Sequence, residues 1–472
     1  MDPEHRPEHR PERSPGAKLA LTGLVALVLM IPLMMVYSLV YDRESQSQTA
    51  QASIAAGWGG AQTVTGPVLV VPWMQEVTRT QTIDGEDRTT TTSHRRELFF
   101  SPAHQSIATQ IDPDRKGYAI YETVVYDSAM SGTARFEMPD DLERYGVKPG
   151  DLLLDQVELL FGVSDPRGLK DDVRVSVNGE AQQLQPGNGP AATNGSGFSA
   201  FTTWDASAPL NVAWEFGIRG SKSLSVIPRG GETEWTVTSS WPHPSFGGSF
   251  LPDSREITDA GFTANYDGIT NLALGRALVA HQDDGPPVAS GWEAPIDVAD
   301  ERGEGGTSLA ATIGLTDPVD LYSQVDRAVK YGFLFIGFTF ATFLMFDIVG
   351  GARVAAAEYL LTGAGLVLFF VLLLAFAEVT GFGWAYVIAA GAVIGLLTAY
   401  SAAVLGTWRR AGFVGAMLAG LYAVLFVLLN METYSLLIGA LLLFVALAGI
   451  MYATRGVNWS AVGRSDNEVA AA

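Results

Sequence analysis

Between Asp317 and Phe346 the chain changes character in one step. The stretch DPVDLYSQVDRAVKYGFLFIGFTFATFLMF closes a long, acidic, strand-like region and opens one that is almost wholly apolar. Five apolar runs follow, roughly residues 331–349, 359–377, 382–405, 411–429 and 434–453, and their interiors carry no charge. A sixth, residues 19–41, precedes the acidic region. At a helical rise of ~1.5 Å per residue, runs of this length span the ~30 Å hydrocarbon layer of a bilayer.

The pattern predicts a multi-pass α-helical membrane protein with six transmembrane helices and a large extracytoplasmic all-β, sandwich-like domain between helices 1 and 2. In chain order this means a disordered cytoplasmic tail at 1–18, a first transmembrane helix at 19–41 and an extracytoplasmic β-rich domain at 42–328. A five-helix bundle at 329–454 and a cytoplasmic tail at 455–472 complete it. The tail repeats PEHR-PEHR-PERS, a proline- and charge-rich composition that forms no core. A cleaved signal peptide is the competing reading of the first run, but the run is longer than a ~7–15-residue signal core and the small-residue site at Ala50-Gln51-Ala52 lies far from it.

Arg6, Arg10, Arg13 and Lys18 precede the first run, which places the N-terminus in the cytoplasm. Arg353, Arg409, Arg410, Arg455 and Arg464 then fall on the same side, and Glu378 and Glu432 on the other. Arg327 and Lys330 stand on the side that the charge rule does not expect.

The net charge of −20 resides in the β-rich region, where acidic residues outnumber basic ones about twofold. Such a surface repels nucleic acid and anionic lipid. The absence of cysteine excludes disulfides, thiolate nucleophiles and Cys-ligated metal.

Residues 42–60 read as helix, with Ile54 and Trp58 on one face. The period then changes to two. Leu210, Val212, Trp214, Phe216 and Ile218 alternate with polar or small residues, as do Val173, Val175 and Val177 ahead of Asn178-Gly179, a type I′ hairpin turn. Asp84-Gly85 marks a second hairpin before the threonine run 89–92. These signals argue an antiparallel sandwich or barrel, with residues 186–197 either a boundary between two units or one long loop.

Candidate chemistry is sparse. Asp347, Glu358, Glu378 and Glu432 lie at span ends; Glu378 and Glu432 are candidate membrane-surface acids. Gly391 with Gly395, and Ala416 with Gly420, suit close helix packing. The loop with Trp241, His243 and Phe246 is a candidate interaction surface in which the two prolines flanking His243 describe a rigid extended segment. No nucleophile elbow, HExxH or P-loop occurs, so neither enzymatic activity, metal nor cofactor is expected.

Several stretches together resemble the CreD family of bacterial inner-membrane proteins. They are Ile31-Pro-Leu33, Trp58-Gly-Gly-Ala-Gln62, the Gly66–Pro72 run, Ser240–Phe246 with Phe250-Leu-Pro252, and Gly261-Phe-Thr-Ala264. The most recognisable is Asp317-Pro-Val-Asp320-Leu-Tyr322 with Arg327-Ala-Val-Lys330. Glu378, Gly381-Phe382, Ala385-Tyr386, Tyr400 and Thr454-Arg455 follow in the family's order. The chain departs from the family pattern at Val354–Tyr359 and Phe376–Val379, where similar proteins carry histidines, and at Met431-Glu432, where they carry two acids.

The resemblance implies a role in envelope tolerance linked to a two-component system, without an assigned reaction. Membrane lipids and an envelope or membrane protein are the expected partners. Asp320, Arg327 and Lys330 are candidates for coupling the β domain to the membrane. The alternatives are handling of a hydrophobic substrate in a conduit lined by Tyr386, Gly391 and Tyr400, or sensing.

Overall fold

The computed structural model describes residues 15–83, 86–118, 121–286, 309–315, 321–348, 354–430 and 435–455. The chain divides into two compact units, one of residues 1–48 with 319–472 and one of 49–318.

The first unit is helical. α1 (Pro15–Trp58) runs for 44 residues, with Pro32 inside it and no break, and contributes its first part here. Val25, Leu29, Leu33, Val36 and Val40 recur every three or four residues as a buried stripe, while Leu27, Ile31 and Met34 stay exposed. α2 (Leu321–Lys330) and α3 (Gly332–Ile348) meet at Tyr331; α4 (Ala356–Thr380), α5 (Phe382–Leu405), α6 (Trp408–Asn430) and α7 (Ser435–Thr454) follow. Among the described residues five helical stretches are long and apolar enough to cross a membrane: 18–58, 321–347, 356–380, 382–405 and 408–430. α7 covers the last apolar run, 434–453.

Close helix approach occurs at other small residues than those the sequence singles out. A Cβ on Gly363 of α4 would run into Leu29 of α1, and one on Gly415 of α6 into Thr398 of α5. Among the described residues, Gly391, Gly395 and Gly420 have nothing within 4 Å of an added Cβ. A small-residue spacing allows contact on whichever face it occupies, and the fold chooses the face.

The second unit holds two sheets. In chain order the strands are β1 (Gln62–Ile83), β2 (Glu86–Phe100), β3 (His104–Tyr118), β4 (Tyr121–Phe136), β5 (Val157–Val163) and β6 (Arg174–Val177). Next come β7 (Glu180–Ala181), β8 (Leu184–Pro186), β9 (Gly197–Thr202), β10 (Leu210–Ser221), β11 (Ser223–Ile227) and β12 (Glu232–Ser239). The last are β13 (Ser245–Gly248), β14 (Ser254–Thr258), β15 (Gly261–Thr270), β16 (Val279–Ala280) and β17 (Ala311–Gly314). One sheet runs β13, β17, β11, β1, β5, β9, β8, with β2 on β1 and β16 on β2; the other runs β14, β15, β12, β3, β4, β10, β6, β7.

The alternation read in the sequence is the reason for this layering. Along β10, Leu210, Val212, Trp214 and Phe216 are buried while Asn211, Ala213 and Glu215 are exposed. The inward residues of the two sheets meet: Phe161 of β5 packs edge-on against Trp214, and Phe198 of β9 against Phe216. Asn178 and Gly179 both have positive φ, 48° and 87°, and form the tight turn between β6 and β7. Asp84-Gly85 lies outside the described residues, but β1 and β2 pair antiparallel up to Ile83 opposite Glu86. Residues 186–197 connect β8 to β9, neighbours in one sheet, and so do not divide the unit.

Two pairings depart from the antiparallel expectation. β1 with β11 and β3 with β12 are parallel, each joining strands far apart in sequence. Parallel neighbours need a long crossover, which leaves no local turn signal to read.

Candidate functional site

The junction of α1 with β1 belongs to the second unit and is built by the Trp58-Gly-Gly-Ala-Gln62 stretch. Trp58 lies between two cations, Lys116 Nζ at 5.0 Å and Arg219 Cζ at 4.9 Å from its ring centroid, and its indole N–H donates to Tyr126 O at 3.4 Å. Gly59 has φ +138°, and a Cβ there would stand 2.7 Å from Arg219 O, so only glycine fits. Gln62, 1% exposed, donates to Asp165 O and Arg219 O and accepts from Asp165 N–H. Arg167 grips Asp165 through two bonds of 2.8 and 2.7 Å and donates to Ala56 O of α1 at 3.3 Å. The Arg167 hydrogen bonds hold the Asp165 carboxyl below the usual carboxylate range against the opposing effect of burial.

Polar residues also converge in the helical unit. Glu378, near the C-terminus of α4, accepts from Tyr322 Oη of α2 at 3.3 Å, and Arg43 Nε of α1 stands 4.0 Å away. Lys330 pairs with Asp326 one turn back at 2.6 Å and lies 6.0 Å from the Tyr37 ring centroid. Arg327 is half-buried on α2, whose Tyr322, Val325, Ala328 and Val329 form the packed face. Asp320 and Glu432 lie outside the described residues. Lys18 of α1 bonds Asp347 of α3 at 2.9 Å, and Asp347 is 5% exposed, which gives this buried acid a partner. Glu358 caps the start of α4 by accepting Ala355 N–H at 2.7 Å.

The His243 loop separates into two roles. Trp241 is buried in the core, and its Nε1 donates to His243 O at 2.9 Å, while the imidazole itself is exposed. Phe246 packs edge-on against Phe262 and lies in β13, a short strand that the proline-rich sequence does not announce. The conduit residues are not brought together either. Tyr386 is buried with its hydroxyl on Tyr422 O at 2.6 Å, whereas Gly391 faces open space on α5.

Two constellations escape the sequence reading. The first is buried: Arg229, 0% exposed, reaches Asp283 at 2.8 Å and Thr65 Oγ1 at 3.2 Å, while Arg276 pairs with Asp284. Asp283 also accepts Ala191 N–H at 2.6 Å. Burial, reinforced by Arg229, pushes the Arg276 guanidinium down to about 10, with Asp284 and Asp283 pulling it back up. Arg229, Arg276 and the adjacent pair Asp283-Asp284 lie on three separate loops, so no spacing motif marks them.

The second is an open cleft of about 620 Å³ on the outer face of the β12-β3-β4-β10 sheet. Strand register sets Glu232, His104, Arg135 and Asn211 in one row, and Glu234, Ser106, Thr133 and Ala213 in the next. His104 Nδ1 stands 3.1 Å from Glu232 Oε2. The floor is small and hydroxylic, the rim carries carboxylate, imidazole, guanidinium and amide, and such a surface can donate and accept hydrogen bonds without a large net charge. Its signal in the sequence is the run of exposed polar positions Glu232, Glu234, Thr236 and Thr238 at period two. Among the described residues no group of three or more histidine or acidic side chains is placed to hold a metal.

A family model described as Inner membrane protein CreD matches residues 14–460. The chain belongs to the CreD family. This CreD-family chain is 31% identical over 442 residues to the Inner membrane protein CreD of Escherichia coli (strain K12), across 92% of this chain and 91% of that protein. It is thus an inner membrane protein with several candidate membrane-crossing helices. Among solved structures, an M1 zinc metallopeptidase from Deinococcus radiodurans overlays with a TM-score of 0.22 at 9% identity, covering 46% of this chain and 42% of that one.

Proposed function

We propose that this CreD-family chain maintains the cell envelope by binding rather than by catalysis: a six-span bundle, both termini cytoplasmic, holds a β domain outside the membrane to engage an envelope component or a membrane protein. The observation that carries the reading is the cleft of about 620 Å³ on the open face of the second sheet, where charged and amide side chains rim a floor of small hydroxylic residues. That inventory suits a hydroxyl-rich envelope ligand, which needs many directional donors and acceptors and no deep apolar pocket. The topology rests on the arginines at 353, 409, 410 and 455, which share a side with the basic N-terminus.

The test fills the cleft without touching the core. Ser106 and Thr133 face outward, so Ser106→Arg with Thr133→Tyr crowds the floor and leaves the packed side intact. Expected is a protein with unchanged melting temperature that no longer restores the envelope phenotype of a deletion strain and no longer recovers its partner from crosslinked membranes. Full complementation by the filled variant refutes the assignment of the cleft.

A further inference from the structure

We propose that the cleft on the second sheet is one end of a longer track, and that its ligand is a linear, non-anionic glycan chain lying along β12 and β3 and seated in a second cleft at their far end.

The proposal rests on the reading of the first cleft as a binding site and adds the class and the reach of what binds there. The second cleft, of about 450 Å³, is lined by Gln110, Asp112, Thr238, Glu256 and Thr263 among others. Register puts it on the same outer face, because Glu256 stands opposite Thr263, Thr263 opposite Thr238 and Thr238 opposite Gln110 in one row. Along the two central strands every outward position is exposed: Glu232, Glu234, Thr236 and Thr238 on β12, and His104, Ser106, Ala108 and Gln110 on β3. The residues that alternate with them, Trp235 and Ile107 for example, are buried. Thr236 and Ala108 are paired neighbours and form the ledge that joins the clefts, flanked by Asn265 and Ser131. From Glu232 to Thr238 the track runs about 20 Å at ~3.3 Å per residue. That is the reach of an extended polymer, too long for one sugar.

The side chains state the chemistry. Val212, Ile111 and Phe262, the large apolar residues of the two linings, are at most 4% exposed, so an acyl chain or an apolar peptide anchor finds no seat. What remains is hydroxyl, amide and carboxylate, the donor and acceptor set that sugar hydroxyls match. In the first cleft His104 is paired with Glu232 at 3.1 Å, and Arg135 with Glu137 at 2.9 Å, which leaves hydrogen-bonding capacity and little field for a charged ligand. Glu234, Asp112 and Glu256 add carboxylates along the track, which repel a polyanion and accept from hydroxyls. With no exposed Trp, Tyr or Phe among the lining residues to stack on, each cleft holds a sugar weakly. Affinity then comes from occupying both clefts with one chain.

The probes are β-1,4-linked N-acetylglucosamine oligomers of graded length, with polygalacturonate as the anionic polymer, titrated against full-length protein in detergent. Expected is a rise in affinity on the order of a hundredfold once the oligomer is long enough to bridge both clefts, and weaker binding of polygalacturonate. Ala108→Leu with Thr236→Leu raises an apolar ridge across the ledge without touching either cleft. This variant should keep its melting temperature and its affinity for short oligomers, and should bring long oligomers down to that same affinity. Affinity that stays flat with length, long-oligomer binding indifferent to the ridge, preference for the anionic polymer, or no binding of any oligomer overturns the proposal. The first cleft is judged separately, by complementation with its filled variant, so a failed track and a failed cleft are told apart.

Discussion

Arg229 is the single residue on which the second unit depends most visibly. A guanidinium with no exposure carries a desolvation cost that only its partners offset, and here the partner at 2.8 Å is Asp283. Asp283 also takes the backbone N–H of Ala191, so one carboxylate ties the loop at Asp283 to two other segments. Removing it leaves the charge buried without its nearest compensation. Asp283→Ala is expected to destabilise the second unit by ~3–5 kcal/mol. Replacing both members, Arg229→Met with Asp283→Leu, removes charge and counter-charge together and recovers most of that loss. Thermal unfolding of the full chain in detergent compares the two; a double variant as unstable as the single one would show that the ion pair is not the source of the effect.

At the scale of elements, the clamp on the end of α1 makes a pH-dependent prediction. Asp165 sits in the turn that holds Gln62 and, through Arg167, the last turn of α1. A carboxyl with a depressed folded value contributes stability that is present above its unfolded value, ~3.9, and is lost as pH falls through the folded one. Asp165→Asn should therefore lower the melting temperature at neutral pH, with the gap to the native chain closing below about pH 4. A gap that stays constant from pH 7 to pH 3 contradicts the assignment.

The same junction shows what the sequence makes legible. Helix 42–60 follows from local spacing, and so do β10 and the Asn178-Gly179 turn, because each is written in neighbouring residues. The roles of Gln62 and Arg229 are not legible, since their partners lie more than 50 residues away. Nor are the parallel pairings of β1 with β11 and β3 with β12, for the same reason. The glycines at 391 and 395 mark a possible packing face, but only tertiary context tells that Gly363 and Gly415 make the close approaches.

For the whole molecule, charge and hydropathy make a topology that a cysteine-free chain can test position by position. Five helical stretches among the described residues meet the length and apolarity of a membrane span, and α7 adds a 20-residue helix whose sequence contains no charged residue. Five crossings would leave the two termini on opposite sides of the membrane; six return them to the same side. The basic residues favour six, because Arg455 follows α7 as Lys18 precedes the apolar core of α1. The proposed arrangement thus makes a distinct statement at each end of α7. His243→Cys, on the exposed loop of the second unit, should react with a membrane-impermeant maleimide in intact spheroplasts. Arg409→Cys, between α5 and α6, and Arg455→Cys, after α7, should react only after the membrane is broken. Labelling of Arg455→Cys from outside, with Arg409→Cys still protected, would mean that α7 does not cross and that the bundle has five spans.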